Sequence, residues 1–171
     1  ILATIVVPQL QSCHTPARRS VCASNLSQIG KACFIYADQP ANGRFPTLST
    51  TDDPFADTNP MHALSLLYNG YIKDPRVFSC PSKQIAPALL QKLTPTVNGR
   101  LAPGGTYLTA ASCSYGYDPG HKPDDAVAAI AAEKKGTGPN SYNHGTDLGQ
   151  NVLIGSGTVE FRDTTKNLLG K

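Results

Sequence analysis

The stretch 143–161, NHGTDLGQNVLIGSGTVEF, holds the three residue types of a hydrolytic triad close together in the chain: His144, Asp147 and Ser156. A triad is defined by the geometry of these groups and not by their presence in one segment. A nucleophilic serine of this kind usually stands on a sharp turn between a strand and a helix. No helical pattern follows Ser156. We therefore interpret the stretch as architecture and do not expect an enzyme.

The same stretch has the pattern of a β-hairpin. After its first residue, the arm 151–154 is continuously apolar, which is typical of a strand covered on both faces. In the arm 158–161, Val159 and Phe161 alternate with polar residues. Glycines on both sides of Ser156 can supply the positive φ angles of a tight turn. We predict a hairpin entered by a loop that a histidine orders through hydrogen bonds to the backbone; its motif residues are His144, Asn151, Gly155 and Gly157.

Five cysteines in 171 residues indicate an oxidising, extracytoplasmic setting. No two are spaced as C-x-x-C, so zinc-ribbon, thioredoxin and haem-attachment patterns are missing. If the N-terminal part is one helix, Cys22 and Cys33 share a stripe but lie about three turns apart, too distant to bond each other. Each could then bond Cys80 or Cys113, which would leave Cys13 free or paired between molecules, or remain a buried thiol. Helical geometry leaves this choice open.

Three aspartates, Asp118, Asp124 and Asp125, share the Pro- and Gly-containing loop YDPGHKPDD. Carboxylate oxygens are calcium ligands, which makes this loop a weak candidate for a metal site. The spacing does not reproduce a known calcium loop, and exposed carboxylates are common on protein surfaces. We interpret the loop as a solvated acidic turn and expect neither a metal nor another cofactor.

The composition predicts a loop-rich body with a modest core. Hydrophobic residues make up 40% of the chain, below the usual share, and it contains 14 prolines and 15 glycines. A formal charge of +3 is too small to indicate a nucleic-acid partner. We interpret the adjacent basic pairs, Arg18-Arg19 and Lys134-Lys135, as solvated surface.

A long helix followed by a small antiparallel sheet is the predicted α+β plan. From Ala17 to Tyr36, apolar residues recur at intervals of three and four, as in an amphipathic helix, and Pro40 cannot continue it. The expected organisation is an N-terminal helix over 1–38 and a globular head over 39–171. The head would carry long loops and end in the hairpin.

Shorter elements of the head are predicted from proline, glycine and alanine. A helix should begin at Pro60 and end near Asn69-Gly70, and residues 84–92 should form a turn or two of helix. The segment DPRVFSCPS is predicted as a turn with a brief extended piece. Alanine-rich residues 126–132 favour a helix by propensity, but their place between two strands leads us to predict a strand.

The chain opens with ILATIVVPQLQ, which is apolar for seven residues and then polar. This run is too short to span a bilayer, which needs about 20 apolar residues. It has the character of the end of a longer hydrophobic helix.

Four segments carry a family resemblance: the helix ARRSVCASNLSQIG with the exit GRFP, then VFSCPS, then SY, and finally NHG through QNVL to GTVEF. In this order they resemble type IV pilin-like and pseudopilin-like proteins. More specifically, they resemble the planctomycete-type prepilin family with a C-terminal His-x9-Asp-Gly element. Here Ser156-Gly157 stands in place of the Asp-Gly pair, at a longer distance from His144.

The resemblance implies a non-enzymatic structural subunit of the cell envelope, in the periplasm, anchored in the membrane or in an extracellular filament. Its partners would be copies of itself or other pilin-like or envelope subunits, and the membrane through its helix. An accessory subunit of a larger envelope complex is the alternative, and a ligand- or calcium-binding head is less favoured. The residues expected to pack in assembly are Ile1, Leu2, Ile5, Val6, Val7 and Leu10.

The resemblance also implies a cysteine pairing. Cys22 and Cys80 both stand at positions that match the family pattern, so a disulfide between them would tie the helix to the head. Cys33 and Cys113 would then form a second disulfide or remain buried thiols.

Overall fold

The structure, a computed structural model, describes residues 3–48, 60–83, 85, 87–96, 100–133 and 149–162, with side chains of the first helix from Pro16 onwards. It confirms the α+β plan of one long N-terminal helix and a small antiparallel sheet. The helices are α1 (Ala3–Ala37), α2 (Pro60–Ser65), a 3-10 helix (Pro75–Phe78) and α3 (Pro87–Gln91). The strands are β1 (Tyr115–Tyr117), β2 (Ala129–Glu133), β3 (Gln150–Ile154) and β4 (Val159–Arg162).

The four strands lie in chain order, and each pairs antiparallel with the next. Helix α1 packs across this sheet and contacts β3 most extensively. Its buried face repeats at intervals of four and three residues, as the amphipathic pattern predicted. That face includes Cys22, Leu26, Ile29, Cys33 and Tyr36. No helix in the described part of the chain is long and apolar enough to cross a membrane.

Gly30 marks a close approach between helix and sheet. A Cβ atom at this position would lie 2.8 Å from Cδ1 of Leu153, which is itself fully buried in β3. Only glycine therefore lets α1 sit this close to the strand without moving Leu153, since core atoms are close-packed.

The predicted hairpin is confirmed over β3 and β4, which pair Leu153 with Val159 and Asn151 with Phe161. Strand β3 is covered along most of its length, as its apolar run indicated. Gly157 has the expected positive φ, +85°. Gly155 does not, and the prediction that it supplies a positive φ was wrong. A side chain at Gly155 would instead overlap the carbonyl oxygen of Asp125.

We expect Gly155→Ala to destabilise the fold by about 1–3 kcal/mol, because the backbone of the neighbouring loop must shift to admit the methyl group. Gly116→Ala in β1 is the matched control, since its Cβ would meet no atom closer than 3.9 Å. Urea denaturation of the two variants measures the difference. Equal midpoints would contradict a tight contact between the hairpin turn and this loop.

The segment around Pro75 is helical and not extended, contrary to the prediction. Asp74 caps it, because its side chain accepts a hydrogen bond from the Arg76 backbone N–H at 2.9 Å. Pro75 then occupies the first helical position, where its missing N–H costs nothing. The hydrogen bond from the Arg76 guanidinium, followed by this backbone bond, holds the pKa of Asp74 below its usual value.

The other short elements follow the predictions more closely. Helix α2 begins at Pro60 as predicted but ends at Ser65, earlier than the predicted Asn69-Gly70; Asn69 takes a left-handed φ of 65° beyond it. Helix α3 falls within the predicted range 84–92. The alanine-rich run enters a strand only from Ala129, because Ala128 first turns back to donate a hydrogen bond to the Asp125 carbonyl oxygen at 3.0 Å.

Candidate functional site: the helix–head junction

Helix α1 is fastened to the head at one place by a disulfide, a buried carboxylate and several side-chain hydrogen bonds. We call this place the junction. It consists of Arg19, Cys22 and Asn25 of α1, Ser79 and Cys80 after the 3-10 helix, Glu133 of β2 and Asn151 of β3.

A disulfide joins Cys22 to Cys80, the pair that the family resemblance implied. The two Cα atoms are 5.5 Å apart, within the usual range for a bonded pair, and both side chains are fully buried. Cys22 lies on the buried face of α1. Cys80, 58 positions later in the chain, lies just after the 3-10 helix that packs against α1. The bond therefore crosslinks the long helix to the head.

The second disulfide considered from the sequence is absent. Cys33 and Cys113 are both buried thiols. The Cys113 thiol donates a weak hydrogen bond to the carbonyl oxygen of Tyr115, two residues later, at 3.4 Å. Burial raises the pKa of Cys33 to about 12, which keeps this thiol protonated and unreactive at neutral pH.

Glu133 and Asn151 form the polar centre of the junction. Glu133 is only 1% exposed, and its two oxygens accept hydrogen bonds from the Asn151 backbone N–H at 2.9 Å and side-chain N–H at 3.2 Å. The Asn151 amide also donates to the Arg19 carbonyl oxygen at 3.1 Å. One amide thus connects β2, β3 and α1. The sequence marked Asn151 as a motif residue but did not mark Glu133, which ends an alanine-rich run without any pattern that signals burial.

Asn25 makes a second polar tie beside the disulfide. Its amide donates to the Ser79 carbonyl oxygen at 3.0 Å, one residue before Cys80. Tyr115 lies close by in the core, and burial raises its pKa above the usual value. The covalent bond and this hydrogen bond hold the same short segment against α1.

Arg19 makes a further contact between α1 and the sheet. Its guanidinium carbon lies 3.7 Å from the centroid of the Phe161 ring on edge strand β4, a cation–π arrangement. Arg18 is exposed, as predicted for both members of this basic pair. The interpretation of Arg19 as mere solvated surface was wrong, because the pairing of β4 with β3 places an aromatic ring beneath it.

We expect Arg19→Ala to cost more stability than Arg18→Ala, and a double-mutant cycle with Phe161→Leu to give a coupling of about 0.5–1 kcal/mol. The exposed Arg18 provides the matched control, with an effect within about 0.5 kcal/mol. Denaturant unfolding of the five proteins measures the cycle. A coupling near zero would show that the ring and the guanidinium do not stabilise each other.

The three loop aspartates do not converge on a cation site. His121 lies between two of them, with Nε2 3.2 Å from Asp118 Oδ2 and Nδ1 3.3 Å from Asp125 Oδ2. A backbone hydrogen bond from Lys122, followed by the bond to His121, lowers the pKa of Asp125. The third aspartate, Asp124, is exposed and does not belong to this pair. His121 thus bridges two of the three aspartates and closes the loop.

A groove of about 850 Å³ runs beside the junction, between α1, the 3-10 helix and α3. Asn25 and Cys80 lie in its wall together with apolar residues such as Val21 and Leu90. The buried disulfide is thus close to a solvent-facing depression.

Several predicted residues fall outside this description. His144 and the pair Lys134-Lys135 lie outside the described residues, as does the side chain of Cys13. Residues Ile5, Val6, Val7 and Leu10 belong to helix α1, but their side chains lie outside the described part, as do Ile1 and Leu2 entirely.

Comparisons of the chain with models of protein families, with curated proteins and with solved structures find no match.

Proposed function

We propose that this protein is a non-enzymatic, pilin-like or pseudopilin-like structural subunit of the cell envelope that assembles through its N-terminal helix. The observation that carries the proposal is a long helix with the head fastened to its second half. Helix α1 has 35 residues and so extends for about 50 Å, and its described contacts with the head begin at Arg19. Residues 3–15 continue the same helix ahead of the junction.

The junction suits a subunit that bears mechanical load. A force applied along α1 would reach the head through a covalent bond at Cys22–Cys80 and through the polar ties next to it. Noncovalent helix packing alone would slide or peel more easily. This argument favours a structural role for the disulfide.

The same bond supports an extracytoplasmic location, because disulfides persist in oxidising compartments. The partners proposed are copies of this chain or other pilin-like envelope subunits, and the membrane where the helix meets it. The residues proposed to pack against partners are Ile1, Leu2, Ile5, Val6, Val7 and Leu10.

Electron microscopy of native material, purified without harsh detergent, tests this function. We expect regular filaments composed mainly of this chain, lost in Val6→Asp because a charge in an apolar helix interface is costly. Val127→Asp is the matched control, since Val127 is 90% exposed on the head and far from that helix in sequence. Discrete particles that contain other polypeptides would overturn the filament proposal and favour an accessory subunit.

A further inference from the structure

We infer that Cys22, Cys80 and Glu133, once the disulfide is reduced, form a binding site for a thiophilic divalent cation such as Zn²⁺. The two sulfurs and a Glu133 carboxylate oxygen all lie within 4.8 Å of one another. All three side chains are buried, with at most 1% exposed. Among the described residues, these three are the one group of His, Cys, Asp or Glu side chains whose ligand atoms lie this close together.

The ligand types match a zinc-like ion. Zn²⁺ binds thiolates at about 2.3 Å and carboxylate oxygens at about 2.0–2.2 Å, in a tetrahedron whose ligand atoms are about 3.5–3.8 Å apart. The Cα atoms of Cys22 and Cys80 are 5.5 Å apart, so the two sulfurs, bonded here, can separate to this spacing by side-chain rotation once the disulfide is reduced. Two thiolates also select against the hard cations Ca²⁺ and Mg²⁺, which prefer oxygen ligands.

Asn151 supplies the support that a ligating carboxylate requires. Its backbone and side-chain N–H groups bind one Glu133 oxygen each, at 2.9 and 3.2 Å, and so fix the plane of the carboxylate. Carboxylates that bind metals are commonly oriented by such outer hydrogen bonds. Three protein ligands leave a fourth tetrahedral position for water. The adjacent groove, with Cys80 in its wall, provides the route for the ion and for that water.

Reduction has to precede binding, and its chemistry is balanced as follows. A trialkylphosphine and one water convert the Cys22–Cys80 disulfide to two thiols and become the phosphine oxide. The S–S bond breaks, and phosphorus takes up the oxygen of the water. Each thiol then releases its proton to the buffer as it binds the cation. The site is therefore available only in the reduced protein.

The test is Co²⁺ titration of the whole chain, reduced with a phosphine and freed of it under anaerobic conditions. Tetrahedral Co²⁺ with thiolate ligands gives intense visible bands and a sulfur-to-cobalt charge-transfer band. We expect these bands at one equivalent, their loss in Cys22→Ser/Cys80→Ser, and roughly 10–100-fold weaker binding in Asn151→Ala. Zn²⁺ should displace the Co²⁺ and raise the melting temperature of the reduced protein.

The controls separate this site from the other thiols. Cys33→Ala/Cys113→Ala and Cys13→Ala variants should keep the bands, and Glu133→Gln should weaken binding without removing the thiolate signal. Bands that survive in Cys22→Ser/Cys80→Ser, or unchanged affinity in Glu133→Gln, would overturn the inference. A reduced chain that is unfolded and does not refold with Zn²⁺ would overturn it as well.

Discussion

Removing the disulfide with Cys22→Ala/Cys80→Ala is expected to lower the free energy of unfolding by about 4 kcal/mol. The bond closes a loop between residues 58 positions apart, and in the chain-entropy model a loop of this size restricts the unfolded chain by about that amount. For a chain of this length, the loss corresponds to a fall in melting temperature of about 10 °C. Thermal unfolding followed by circular dichroism measures it.

The response to a reductant provides the control. Dithiothreitol should lower the melting temperature of the wild type and leave Cys22→Ala/Cys80→Ala unchanged, because no other disulfide joins the described cysteines. Cys33→Ala/Cys113→Ala should keep the full sensitivity to reduction. If Cys33→Ala/Cys113→Ala no longer responded to dithiothreitol, the disulfide that stabilises the protein would involve Cys33 or Cys113.

Asn151→Asp is expected to destabilise the protein by about 3–5 kcal/mol, although the side chain barely changes in size. The substitution removes the amide that donates to Glu133 and to the Arg19 carbonyl oxygen. It also places a second carboxylate against a carboxylate that is 1% exposed. Like charges without a hydrogen bond between them are costly in a buried site.

Glu133→Gln combined with Asn151→Asp tests the cause. The new amide can donate to the new carboxylate, so the double variant should recover part of the lost stability. The bond to Arg19 stays broken, which limits the recovery. Chemical denaturation of the wild type, the two single variants and the double variant gives the coupling energy. Additive effects would show that the two side chains do not act as a pair.

Patterns in the sequence predicted the elements whose form depends on close neighbours in the chain. The spacing of three and four from Ala17 to Tyr36 predicted helix α1, and Pro60 predicted the start of α2. The alternation around Val159 predicted the outgoing strand of the hairpin. Hydrophobic period, capping and turn chemistry act over a few residues, so they can be read from a single sequence.

Two other local predictions failed, one because of a competing local cap and one because of a contact with a distant part of the chain. The segment at Pro75 has apolar residues suited to a strand, yet the side chain of Asp74 caps a 3-10 helix there. Gly155 was interpreted as a turn glycine. A glycine is needed there because a side chain would overlap the carbonyl oxygen of Asp125 in a different loop. In the second case the deciding atom lies 30 positions away in the chain.

The sequence by itself determined the long amphipathic helix, the hairpin and the presence of cysteines suited to an oxidising setting. The family resemblance implied the Cys22–Cys80 pair. Only the tertiary structure decided that Cys33 and Cys113 stay thiols, that Glu133 is buried beside the disulfide, and that Arg19 covers Phe161. The physical reason is sequence distance. The disulfide spans 58 positions and the bond from Asn151 to Arg19 spans 132, so both depend on how α1 packs on the sheet and not on local preference.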